Sequence, residues 1–219
     1  MKLILVRHGQ SEAQVGRDSD DPRLTECGRE QARLLGEYLR TVKIDRIYAS
    51  HLTRAVETAA AVARAQDRDL PITVLPQLAE RGTHDDWVQS ADVLRAVYPH
   101  LSIEGLTIGP GYANDEERAD AALQICAYAP AFESGFTRRE QSDGHETCEN
   151  ELTVLVAAHA MYNGLLIRRL TGMPARREVI ISQYNACFNR FEFFVEDDLR
   201  RIRFFSMNET PHLPPDLLT

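Results

Sequence analysis

The chain has no basic surplus, no cysteine framework and no long apolar run. Lysine and arginine number 25 against 33 aspartates and glutamates, a formal net charge of −8 at pH 7. With a pI of about 5.4 it lacks the basic face that tracks a nucleic-acid backbone, so no nucleic-acid partner is expected. An anionic ligand would need positive charge gathered locally in a pocket. The four cysteines, Cys27, Cys126, Cys148 and Cys187, form no C-x-x-C pair and match no zinc spacing. Reduced thiols are therefore expected rather than a metal site or a disulfide scaffold. No stretch approaches the roughly 18 apolar residues that cross a bilayer. The opening Met1-Lys2-Leu3-Ile4-Leu5-Val6-Arg7 is too short for the apolar core of a secretion signal. These absences point to a cytoplasmic protein with no membrane partner.

What is present suits one folded unit. The chain has 219 residues, 43% of them hydrophobic, enough for a single domain with a full core. Leu3–Val6 is a continuous apolar run closed by polar residues and Gly9, the pattern of a strand buried on both faces. Leu24–Thr41 reads as a helix with Thr25 as its N-cap and Ala32, Leu35 and Leu39 on one face. Strands are expected at Ile44–Ala49, Ile72–Leu75 and Leu152–Ala158, with helices at Leu52–Ala65 and Tyr162–Leu170. The last helix should stop at Gly172, with Pro174 beyond. Cys187–Val195 and Arg200–Phe205 alternate like an edge hairpin. Alternating strands and helices predict an α/β fold, a three-layer sandwich around a mostly parallel sheet. Residues from about 85 to 150 break the rhythm. They read as a helical insertion over the site, with helix at Glu116–Tyr128, within a single domain spanning 1–219.

In parallel sheets, ligands bind beyond the carboxyl ends of the strands. Arg7 and His8 follow the first strand, Ser50 and Arg54 the second, Glu80 the third and His159 the fourth. Taken singly, each has an ordinary reading: Arg7-His8-Gly9 as a solvated loop, Arg54 as a surface helix residue, His159 as a packed core histidine, Glu80 as a surface carboxylate. Taken together at four strand ends, they are not expected to be four unrelated solvated residues, and their chemistry would suit a phosphate. Guanidinium forks match phosphate oxygens, imidazole is a nucleophile near neutral pH, and glycine admits close backbone approach.

The set occurs within Leu5-Val6-Arg7-His8-Gly9-Gln10-Ser11-Glu12, Leu24-Thr25-Glu26-Cys27-Gly28-Arg29-Glu30-Gln31-Ala32, Ile47-Tyr48-Ala49-Ser50 through Arg54-Ala55 and Thr58-Ala59, Leu78-Ala79-Glu80, and Val154-Leu155-Val156-Ala157-Ala158-His159. In this order the stretches resemble the histidine phosphatase superfamily, also called phosphoglycerate mutase-like, over residues 1–82 and 152–205. The resemblance implies that His8 attacks phosphorus and becomes phosphohistidine. It implies that Arg7, Arg54 and His159 hold the phosphoryl oxygens, and that Glu80 is the proton donor and acceptor. No metal or other cofactor is implied. The charge argument agrees: two guanidiniums and a cationic His159 supply what Mg²⁺ supplies elsewhere. His8 must be neutral at its attacking nitrogen, its other N–H held by a backbone carbonyl of Gly9 or a neighbour.

Departures from the family pattern mark further candidates. Gln14 stands where several members have a phosphate-binding asparagine, and Ala160 where many have glycine. Ser11 either binds substrate or caps the following turn. Arg81, His84, Tyr162 and Asn163 flank the expected pocket and either read the substrate or merely pack. Trp87 and Tyr98 read as the insertion's own core, Asn185 as a turn or support residue, and His145 as solvated surface. The tryptophan-asparagine and tyrosine-glycine elements of the mutase branch are missing. A phosphomonoesterase acting on a small phosphorylated metabolite and releasing phosphate is therefore expected, as a monomer or homodimer. The competing readings are a phosphoglycerate mutase-type phosphotransferase, a weakly catalytic phospho-ligand binding or signalling module, and a phosphatase acting on phosphohistidine or phosphotyrosine in proteins.

Overall fold

The computed structural model describes residues 1–17, 20–80, 96, 103–104, 114–133, 137–138, 151–174 and 179–219. The described residues form eight strands: β1 (Lys2–Arg7), β2 (Arg46–Ala49), β3 (Ile72–Val74), β4 (Ile103–Glu104), β5 (Thr137–Arg138), β6 (Thr153–Ala158), β7 (Phe188–Glu196) and β8 (Leu199–Glu209). They form one sheet in the order β4-β3-β2-β6-β1-β7-β5, with β8 also paired to β7. Pairings from β4 through β1 are parallel, whereas β7 runs antiparallel to both β1 and β8.

The continuous apolar character of β1 and β6 follows from burial on both faces. Leu3, Leu5, Val154, Val156 and Ala158 enter one core; Ile4, Val6, Leu155 and Ala157 enter the other. Helices α1 (Glu26–Leu39) and α2 (Thr53–Ala65) cover the second face. Helices α3 (Asp115–Leu123) and α5 (Ala160–Thr171) cover the first; α3 continues through a π-helical turn, Gln124–Tyr128, into α4 (Ala129–Glu133). These are the three layers expected.

Local signals set most boundaries. Thr25 caps α1, its hydroxyl accepting from Gly28 N at 3.0 Å. Gly172 ends α5 in the left-handed conformation, φ 69°. Asp197 and Asp198 turn the β7–β8 hairpin with φ of 52° and 58°, the two-residue geometry that matches strand twist. Differences are small: β3 stops at Val74 because Pro76–Leu78 forms a 3-10 turn, and α5 begins at Ala160, directly after His159. The helical expectation at Glu116–Tyr128 is met, with the helix starting at Asp115 on an Asn114 cap. Most of the span 85–150 lies outside the described residues, as do Arg81, His84, Trp87, Tyr98, His145 and Cys148. Cys27, Cys126 and Cys187 are free thiols. Among the described residues, no helix is long and apolar enough to cross a membrane.

Candidate active site

Strand register builds the site. Arg7 pairs with Ala158 across β1 and β6, and Ala49 pairs with Ala157 across β2 and β6. The three central strands therefore end at one level, and His8, Ser50 and His159 leave the sheet together. The loop after β1 is held tightly: His8 N donates to Ala158 O at 3.0 Å, Ala186 N donates to His8 O at 3.1 Å, and Gly9 N donates to Thr58 Oγ1 at 3.1 Å. Gly9 and Gly28 make this possible. A Cβ on Gly9 would overlap the Gly28 carbonyl, and one on Gly28 would overlap the Gln10 carbonyl.

His8 is buried, with Nδ1 2.7 Å from Gly9 O. Only a protonated Nδ1 can donate there, which leaves Nε2 with its lone pair. Arg54 Nε donates to that Nε2 at 3.3 Å. The tautomer is the one a nucleophile needs. Burial, and then the cations Arg54 and Arg7, hold the His8 pKa well below the usual histidine range.

His159 is fully buried, 5.1 Å from the His8 ring between centroids. Its Nε2 lies 2.9 Å from Ser50 Oγ, while its Nδ1 has no hydrogen-bond partner. Burial, followed by His8, Arg54, His51 and Arg7, lowers its pKa well below 6.5, which favours the neutral ring. Arg7 donates through Nη1 to the Gln183 carbonyl, and its buried Nε has no partner. Burial lowers the pKa of both arginines, opposed by Glu80 in each case and by Asp21 at Arg54. Glu80 thus lies within electrostatic range of both guanidiniums; its Oε1 accepts from Tyr162 N at 3.2 Å. Of the expected set, His8, His159, Arg7, Arg54 and Glu80 come together.

The secondary candidates divide. Ser11 precedes the 3-10 turn Glu12–Val15 and Gln14 lies within it, with Gln14 Oε1 accepting from Ser11 N at 2.9 Å and Gln14 Nε2 donating to Asn185 Oδ1 at 3.3 Å. The Gln14 side chain is thereby engaged at both ends in loop contacts. Ala160 opens α5, at the helix end whose first N–H groups lack intrahelical acceptors. Asn163 is fully buried, its amide donating to Gln183 Oε1 at 3.3 Å. Tyr162 is likewise fully buried. Asn185 is a support residue, bonded to Thr219 through its backbone and side-chain nitrogens at 2.9 and 2.8 Å. Gln31 adds to that support, joining Gln10 N to Leu217 O at 2.7 Å each. Sequence reading gave no support role to Thr58, although it falls in a quoted stretch, and missed Gln183 and Asp21, which act across long stretches of chain with no local pattern to announce them. Among the described residues, no three His, Cys, Asp or Glu side chains are grouped to hold a metal ion.

Comparison with known proteins gives the family and the fold. The profile of the histidine phosphatase superfamily (branch 1) matches residues 3–104. The adenosylcobalamin/alpha-ribazole phosphatase of Salmonella typhimurium is 33% identical over 184 residues, covering 80% of this chain and 82% of that protein. The probable phosphoglycerate mutase GpmB of Citrobacter koseri is 25% identical over 203 residues, covering 88% and 85%. A mycobacterial glucosyl-3-phosphoglycerate phosphatase, solved with VO3, shares the fold with a TM-score of 0.64 at 23% identity, covering 95% of this chain and 99% of that one. The chain belongs to the histidine phosphatase superfamily.

Proposed function

We propose that the protein is a cytoplasmic, metal-independent phosphomonoesterase that hydrolyses small phosphorylated metabolites through a phosphohistidine on His8. The observation that carries this reading is a pair of buried, partnerless nitrogens, Arg7 Nε and His159 Nδ1, beside a nucleophile of the right tautomer. Buried polar atoms rarely stay unpaired. A tetrahedral anion would satisfy both, and its negative charge would favour the protonated His159 that burial disfavours.

In the first step the Nε2 lone pair of His8 attacks phosphorus as the ester P–O bond breaks. Arg54 turns from His8 Nε2 to a phosphoryl oxygen. Arg7 and protonated His159 take the remaining equatorial charge, and Glu80 gives its proton to the leaving oxygen. The Nδ1–H···O=C bond to Gly9 steadies the positive charge that His8 acquires. In the second step Glu80 removes a proton from water, the water oxygen attacks phosphorus, and the P–N bond breaks to regenerate His8.

The relatives suggest where to begin with substrates. The test is a phosphate-release screen in EDTA, starting with α-ribazole phosphate and glucosyl-3-phosphoglycerate and continuing through sugar phosphates, nucleotides and phosphoglycerates. Expected are turnover in EDTA, an acid-labile phosphoenzyme on rapid quench, and loss of both in His8→Ala. Activity abolished by chelation, or kept by His8→Ala, contradicts the mechanism. Isomerisation of phosphoglycerate without phosphate release would select the mutase-type reading.

A further inference from the structure

The first turn of α2 carries Arg54, yet the residue at its N-cap, Leu52, makes no side-chain cap. The cap comes from elsewhere. Asp21, thirty-two positions earlier in the chain than Thr53, accepts from Thr53 N at 3.0 and 3.1 Å through its two oxygens, and from Thr53 Oγ1 at 2.6 Å. The same carboxylate stands 4.0 Å from Arg54 Nη1, and both side chains are only 11% exposed. A carboxylate here complements the positive end of the helix and is poorly screened by salt. Arg54 is thus held from two sides: its Nη1 edge faces Asp21 and its Nε donates to His8 Nε2.

We propose that Asp21 is a positioning residue for phosphoryl transfer: by fixing the first turn of α2 and the Nη1 edge of Arg54, it aims the guanidinium at His8 Nε2 and at the phosphoryl group that replaces it as partner. The proposal rests on the phosphatase reading of the site. Arg54 must release His8 when phosphate arrives. With the Asp21 contact in place, that release is a short pivot about a fixed edge, and the long side chain keeps its orientation. Without it, Arg54 must find the phosphoryl oxygens from many rotamers. A mere helix cap would contribute stability and nothing to the chemical step.

The test is a double-mutant cycle in the full chain, with p-nitrophenyl phosphate as substrate and orthovanadate as inhibitor. Asp21→Asn keeps an oxygen to accept from Thr53 N while removing the charge. It is expected to lower kcat roughly 10- to 100-fold with little change in KM, and to weaken orthovanadate inhibition in parallel. In an Arg54→Ala background the same change should alter kcat less than about twofold, since the group it positions is gone. Thr53→Val removes the Oγ1 bond but keeps the carboxylate and the backbone N–H that donates to it; it should lower the thermal midpoint and lower kcat far less than Asp21→Asn does, and an equal loss of kcat would overturn the role of the charge. If the losses from Asp21→Asn and Arg54→Ala multiply, or if Asp21→Asn lowers only the melting temperature, the proposal is overturned. Should Asp21→Asn not fold, Asp21→Glu, which displaces the carboxylate by one methylene, goes through the same cycle, and multiplying losses or a purely thermal effect overturn the proposal there too. Lack of turnover by the unaltered protein would strike the phosphatase reading alone; orthovanadate affinity would then decide the role of Asp21.

Discussion

The imidazoles of His8 and His159 meet edge to face, 5.1 Å apart with their planes at 61°, and burial favours the neutral form of both. A neutral buried histidine binds fewer protons than its unfolded counterpart below pH 6.5. Stability is therefore complete above about pH 7 and declines as pH falls, by up to about 1.4 kcal/mol per pH unit for each histidine. His212, which burial lowers to about 4, extends the decline in the same direction. Urea midpoints measured between pH 8 and 5 should fall accordingly. Added phosphate should raise the midpoint more at pH 6 than at pH 8, because the bound anion favours a protonated His159. A flat profile in the ligand-free protein would contradict the buried neutral pair.

Ser50 is the only hydrogen-bond partner found for His159 Nε2 among the described residues. The other ring nitrogen, Nδ1, has no hydrogen-bond partner. Ser50→Ala leaves a buried ring nitrogen unsatisfied, at a cost of about 1–3 kcal/mol, and frees the ring to rotate. A fall in kcat of about tenfold or more, with the fold intact, is the expected result of steady-state assays.

Gly28 tests how close the loop and helix must come. In Gly28→Ala the new methyl meets backbone of Gln10 rather than a yielding side chain. Urea denaturation should show a loss of about 1–3 kcal/mol, and kcat should fall with it because the strain lands two residues from His8. Unchanged activity would mean that the loop can shift without moving His8.

Glu80 should matter in proportion to how badly the leaving oxygen needs a proton. Glu80→Gln is expected to slow hydrolysis of alkyl phosphates by roughly 10²- to 10⁴-fold and hydrolysis of p-nitrophenyl phosphate far less. Equal losses on both substrates would remove Glu80 as the acid.

The sequence made the sheet and the centre of the site readable, because Leu3–Val6 and Thr153–Ala158 are apolar runs with chemistry at their ends. A strand buried on both faces leaves no amphipathic ambiguity, and the next residues in the chain must surface at its carboxyl edge. The support was hidden for the opposite reason. Asp21 lies in a polar stretch before Pro22 with no periodicity, and its partner Thr53 is 32 positions away. Gln183 meets Arg7 across 176 positions through a backbone carbonyl, an atom that every residue type carries. The place of Gln14 in the motif suggests phosphate binding, whereas its partners Ser11 and Asn185 are set by the local turn and by the chain entering β7.

The pairing of Arg7 with Ala158 turns the backbone ladder into a measuring device. The gap between the two imidazoles is inherited from hydrogen bonds common to any sequence that keeps β1 and β6 in step. Aliphatic exchanges along these strands can therefore accumulate over evolution with the histidines undisturbed. Deleting one residue between Lys2 and Val6 would turn the two faces of β1 inside out and carry His8 away from its counterpart. Homologues should accordingly differ freely in hydrocarbon but never in strand length at this point.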